Sequence, residues 1–85
     1  MIRRILIPPS IRKTIKKLPL EIRKKLYWCI DMLIKDETYS SLRHKKIAGT
    51  DTYWEFSITM SYRAVYRREG DVASLVAVGK HEDIF

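Results

Sequence analysis

Apolar residues recur at two different periods along the chain, and the change of period divides it. Ile11, Ile15 and Leu18 have the spacing of one helical face, and Ser10 stands where it would cap that helix. Pro19 suits the first turn of a second helix, where its missing N–H leaves nothing unpaired. Ile22, Leu26, Cys29, Ile30 and Leu33 then follow at helical intervals while Arg23, Lys24 and Lys25 point away. This helix is predicted to end near Asp36 to Thr38, and the two helices to form a hairpin. Ahead of them, IRRILI (residues 2–7) reads as a short strand stopped by Pro8-Pro9, which lack backbone donors.

From Thr52 the period becomes two. In TYWEFSIT, Trp54, Phe56 and Ile58 lie on one face and Tyr53, Glu55 and Ser57 on the other. Thr59-Met60-Ser61 is read as a tight turn into the strand YRAVYRR, and Glu69-Gly70-Asp71 as a turn into VASLVAVGK. The predicted order is β-α-α-β-β-β, an α+β fold in which three consecutive antiparallel strands bury one face under the helix pair. The other face stays open. Alternation on the last strand sets Val76 and Val78 against Ala73, Leu75, Ala77, Gly79 and, by continuation, His81. If the valines face the helices, small residues line the open side and it ends at His81. On the middle strand Arg63, Val65 and Arg67 oppose Tyr62, Ala64 and Tyr66, and the pattern alone does not choose which set is open.

Eighty-five residues make one domain, 1–85, with no room for a second core. A domain of this size buries roughly 60–65% of the surface its unfolded chain exposes, enough to fold without metals or disulfides. The single cysteine, Cys29, excludes an internal disulfide and fits a reducing cytoplasm. One cysteine and two distant histidines do not make a zinc spacing, so neither a metal nor a cofactor is expected. The opening MIRRILIPPS has too short an apolar run for a signal peptide, and no stretch approaches a membrane span.

Charge changes this picture more than length does. The net charge is +7, and residues 1–25 carry nine basic side chains against one acid, Glu21, so the remainder nets −1. That remainder still holds two compact basic groups, RHKK (43–46) and YRAVYRR (62–68). Such an excess favours a polyanion or an acidic protein as partner. The chain has no Gly-rich phosphate loop, nucleophile elbow or paired carboxylates, and Cys29 fits core filling better than nucleophilic chemistry. The remaining residues suit phosphodiester cleavage through the 2′-hydroxyl of RNA. That reaction requires removal of the hydroxyl proton, stabilisation of charge on the phosphate and protonation of the leaving 5′-oxygen. Arginine suits the second task, histidine the first or third, lysines hold phosphates and an aromatic ring stacks a base. Arg63, His81, Lys45, Lys46 and Phe85 meet this requirement if the fold gathers them.

The order of segments resembles the RelE/ParE superfamily of toxins from type II toxin–antitoxin pairs. The likeness runs through KKLPLEIRKKL, RHKKIAG, YWEFSI, SYRAVYRREGD and VAVGKHEDIF. It implies a RelE-like, microbial-ribonuclease-like fold, with the helical hairpin on one face of a curved, mainly antiparallel four-stranded sheet. It also implies either a ribosome-dependent mRNA endoribonuclease, the branch favoured here, or a ParE-like gyrase inhibitor without nuclease activity. A catalytically inactive relative that binds only antitoxin or nucleic acid is a further alternative. By resemblance Arg63 contacts the scissile phosphate, His81 handles a proton, Phe85 positions a nucleotide, and Lys45, Lys46 and His44 bind substrate. Phe85 has no hydroxyl, so it is expected to stack rather than transfer a proton. The chain stops at Phe85, and no terminal helix is expected. The implied partners are an antitoxin with an acidic or amphipathic segment, the ribosome and mRNA, with no membrane.

Overall fold

The computed structural model describes all residues, Met1–Phe85. Strand β1 (Arg4–Leu6) leads into helices α1 (Pro9–Lys16) and α2 (Leu20–Lys35). A 3-10 turn (Ser40–Leu42) follows, then strands β2 (Lys45–Lys46), β3 (Tyr53–Ser57), β4 (Tyr62–Glu69) and β5 (Val72–Lys80), and a final helical turn, α3 (His81–Ile84). The five strands form one sheet in the order β1-β5-β4-β3-β2, with β1 parallel to β5 and the other pairs antiparallel. The predicted α+β order is thus present with one more strand than expected. The addition, β2, is only two residues long and pairs at the sheet edge with Glu55 and Trp54. No helix is long and apolar enough to cross a membrane.

The helices form where their apolar spacing requires. Ile15 of α1 and Leu26, Cys29, Ile30 and Leu33 of α2 are buried against Phe56, Ile58, Ala64, Tyr66, Ala73, Leu75 and Val78 of the sheet. Burying a side chain such as Leu26 stabilises the fold by about 2 kcal/mol relative to exposure. Both helix starts differ from the expected capping. Ser10 lies inside α1, which begins at Pro9, and the Pro8 carbonyl accepts the N–H of Arg12 at 3.0 Å. Pro19 likewise precedes α2, and its carbonyl accepts from Arg23 at 3.0 Å. Extended proline geometry at the entry (ψ 156° and 145°) sets each start without a side-chain cap.

The last strand also departs from simple alternation. Val65 pairs with Ala77 but Tyr66 pairs with Leu75, so Val76 is an extra residue, a β-bulge. The bulge reverses the inward parity. Ala73, Leu75 and Val78 all face the core, while Val76 is 42% exposed. Val76 and Val78 therefore do not share a face, which corrects the expectation from pattern. A second correction concerns the tail. After Lys80 the chain turns into α3 rather than running on, and the Phe85 N–H donates to the His81 carbonyl at 3.1 Å. The predicted Glu69–Asp71 turn holds, with Gly70 at φ +60°, a left-handed conformation that glycine adopts without strain.

Candidate functional site

With Ala64, Tyr66, Phe56 and Ile58 committed to the core, the opposite side of β3 and β4 is the open face. Pairing aligns Lys45, Glu55, Val65 and Ala77 in one row across the sheet, and Ser57, Arg63 and Gly79 in the next. Val65 faces away from the helices yet is only 7% exposed, so its longer neighbours wall it in. Lys45 and Glu55, at one end of that row, approach to 4.0 Å.

Arg63 stands at the start of β4, beside the turn of residues 59–61. Its Nη1 donates to the carbonyl oxygens of Thr59 (2.6 Å), Met60 (2.8 Å) and Tyr62 (3.2 Å). Its Nε and Nη2 make no hydrogen bond within the chain. The turn therefore pins one end of the guanidinium and leaves free the edge that takes two oxygens of a phosphate. The turn has its own brace, since Thr59 Oγ1 accepts from the N–H groups of Ser61 and Tyr62 at 3.2 Å each. Thr59→Ala is expected to lower stability by about 1 kcal/mol. A urea midpoint unchanged by that substitution would show that the turn stands without the hydroxyl.

A hollow of about 370 Å³ opens beside Arg63, lined by Met60, Ser61, Arg63, Lys80, His81 and Glu82. His81 opens α3, and its N–H donates to the Ser61 carbonyl at 2.8 Å, so one turn holds both Arg63 and the start of the tail. The Phe85 ring lies 5.0 Å from the His81 imidazole, tilted by 35°, and is 52% exposed. Gly79 lies directly opposite Arg63. A methyl group built on it would reach 3.4 Å from Ile84 Cγ2 of α3.

The structure thus gathers Arg63, His81 and Phe85 at one end of the open face and sets Lys45 in the adjoining row. It places the other two predicted residues elsewhere. Strand alternation turns Lys46 to the helix side, where its Nζ lies 5.5 Å from the centre of the Trp54 ring. His44 is stacked between Trp54 (4.7 Å) and Tyr66 (5.6 Å) and hydrogen-bonds the Tyr66 hydroxyl through Nε2. Burial pushes the His44 imidazole below its ordinary pKa and the Tyr66 hydroxyl above its own. Both groups are therefore neutral near pH 7, and one hydrogen bond joins them. Lys80, absent from the sequence-based set, lines the hollow because it precedes His81 and pairs with Tyr62 at the strand end. Its place directly before the histidine was the available signal.

Residues 21–84 match the ParE-like toxin domain family. This chain belongs to that family, within the RelE/ParE superfamily of toxins from type II toxin–antitoxin systems. Among solved structures, the fold is similar to E. coli toxin RelE in the free state, a double mutant. The TM-score is 0.77 and identity 21%, covering 99% of this chain and 88% of that one. It is also similar to a chain of the RelB–RelE antitoxin–toxin complex from Methanococcus jannaschii, with TM-score 0.73, identity 23% and 93% of each chain covered. E. coli YafQ aligns with TM-score 0.75 and identity 14% over 98% of both chains. A search of curated protein sequences finds no significant match.

Proposed function

We propose that this toxin is a ribosome-dependent mRNA endoribonuclease that inhibits translation. The observation that carries the reading is the single hollow holding Arg63, Lys80 and His81, with the Phe85 ring 5.0 Å from the His81 imidazole. In the reaction, the ribose 2′-oxygen forms a bond to the adjacent phosphorus as the bond from phosphorus to the 5′-oxygen breaks. The products are a 2′,3′-cyclic phosphate and a 5′-hydroxyl. Arg63 stabilises the added charge on the phosphate through its free Nε and Nη2 edge, held in place by the turn carbonyls. His81 carries a proton, from the 2′-hydroxyl or to the 5′-oxygen. Phe85 stacks a base, and Lys45 and Lys80 hold the backbone. Lys46 and His44 serve a different purpose in this reading, fixing the short β2 edge onto the sheet from its helix side. The ribosome supplies substrate orientation, which lets so sparse a set of groups suffice.

The partner that silences the toxin is an antitoxin with an acidic or amphipathic segment, chosen by the +7 charge of this chain. Structural neighbours are recorded in complex with the antitoxins RelB and DinJ, which supports an antitoxin here. The ParE-like name of the matching family favours a second reading, inhibition of DNA gyrase without RNA cleavage. One experiment separates the two. Purified toxin is added to programmed ribosomes with mRNA ends mapped, and to gyrase with supercoiling followed. New mRNA ends that appear only with ribosomes are expected, while intact mRNA with blocked supercoiling would transfer the proposal to gyrase.

A further inference from the structure

A second hollow, also of about 370 Å³, lies on the far side of the turn that holds Arg63. It is lined by Lys25, Ser41, Arg43, Ser57, Ile58, Thr59 and Met60. Met60, 77% exposed, borders this hollow and the one beside Arg63 and His81, so the two are separated only by the tip of the turn. Ser57, which lines the second hollow, pairs directly with Arg63 across the strands. The chemistry of the two linings differs. The hollow beside His81 includes the carboxylate of Glu82, whereas the second has two cations, two serine hydroxyls and no acid.

Neither cation is committed to a carboxylate, since every salt bridge in the chain uses other groups. Lys25 Nζ sits 4.0 Å from the centre of the Trp28 ring, which keeps it at the helix surface without neutralising it. Arg43 is the one non-glycine residue with positive φ, at +47°. This conformation ends the 3-10 turn, with the Arg43 N–H donating to Ser40 at 3.1 Å, and sets the side chain on the hollow's wall. A left-handed arginine is costlier than glycine or asparagine would be at such a position.

We infer that the Lys25–Arg43 hollow is a second phosphate-binding site for single-stranded RNA, taking a backbone phosphate of the strand whose neighbouring linkage lies at Arg63 and His81. The strand crosses the Met60 tip from one hollow to the other. Ser41 and Ser57 add neutral donors, and the absence of a carboxylate keeps the hollow attractive to an anion. This inference rests on the reading of the protein as a ribonuclease, because it assigns the second hollow to the same strand.

The test uses the purified toxin and a labelled single-stranded oligonucleotide whose 2′-hydroxyls are replaced by hydrogen, so that it binds without being cut. Affinity is followed by fluorescence anisotropy across a potassium chloride series. Each phosphate contact in a single strand contributes about 0.7 to the slope of log affinity against log salt. Lys25→Gln with Arg43→Gln is expected to reduce the slope by about 0.7, the loss of one phosphate contact. Removing the same charge from α1, with Lys13→Gln and Lys16→Gln, should leave the slope at the wild-type value. Lys25→Arg with Arg43→Lys should restore it, and matching urea midpoints show that the variants fold. An unchanged slope in the Lys25/Arg43 pair, an equal drop in the α1 pair, or no binding by wild type overturns the inference. Cleavage on programmed ribosomes is measured separately with the same variants. Cleavage retained with an unchanged slope rejects the second site while the nuclease reading stands. No cleavage by wild type rejects that reading itself, and the second site with it.

Discussion

Arg63→Ala is expected to slow ribosome-dependent mRNA cleavage by about 10²–10³-fold, the usual cost of removing a donor that stabilises charge in a transition state. Fold stability should change far less, because the bonds Arg63 makes within the chain go only to carbonyls of its own turn. Arg63→Lys restores the charge but not the planar fork, and rescues only part of the rate. His81→Ala should cost about 10²–10⁴-fold through loss of proton transfer. Phe85→Leu is expected to act mainly on KM, since it removes a stacking surface and leaves the proton path intact. The assay is single-turnover appearance of mapped mRNA ends on programmed ribosomes. Arg63→Ala and His81→Ala proteins that cut at the wild-type rate would remove both residues from the mechanism.

How far the sequence discloses this arrangement depends on whether a feature is periodic. Helical spacing of Ile22, Leu26, Cys29, Ile30 and Leu33 is a repeated signal, and α2 ends at Lys35, one residue before the predicted boundary. The face of Arg63 is also implicit in alternation, and only the identity of the core side was missing. Burial of Ala64 and Tyr66 decides it. The bulge at Val76 is a single inserted residue among apolar neighbours, and alternation has no means to register it. The separation of Lys45 from Lys46 has the same character. Adjacent residues on a strand face opposite ways, but a two-residue edge strand is too short to produce a recognisable pattern. His44 was drawn toward the open face by its neighbours in sequence. Two aromatic rings, Trp54 and Tyr66, brought together by pairing of β3 with β4, hold it on the other side. Arg63, His81 and Phe85 lie at strand ends and in the tail, where chain order alone fixes proximity to the turn.

Those two rings belong to a polar cluster whose loss should be the most damaging to stability. Arg68 donates from Nη1 and Nη2 to the two carboxylate oxygens of Glu37, at 2.7 and 3.2 Å, and its guanidinium lies 5.6 Å from the Trp54 ring centre. Both side chains are partly buried, with 18% and 23% of their surface exposed. Arg68→Ala leaves the Glu37 carboxylate facing only the Met1 ammonium, at 3.2 Å. The expected cost is about 2 kcal/mol, within the range for hydrogen bonds to a charged group. A chain of this length has about 4–13 kcal/mol of total stability, so the variant should lose a sizeable part of it. The cluster also dictates how stability responds to acid. Burial holds the His44 pKa below its ordinary value, so the folded state resists protonation there and stability falls as pH drops below about 6.5. The hydrogen bonds from Arg68 hold Glu37 below 4.5, so a second loss begins as pH falls below that value. Both contributions are complete above pH about 6.5 and neither reverses sign in acid. Urea midpoints measured from pH 3 to 8 should therefore fall in two stages. His44→Phe is expected to flatten the upper stage, and Arg68→Ala to shrink the lower one, because Glu37 then returns toward its ordinary pKa. A wild-type midpoint that is flat from pH 7 to 5, or an Arg68→Ala profile parallel to wild type below pH 4.5, would show that the cluster does not couple protons to folding.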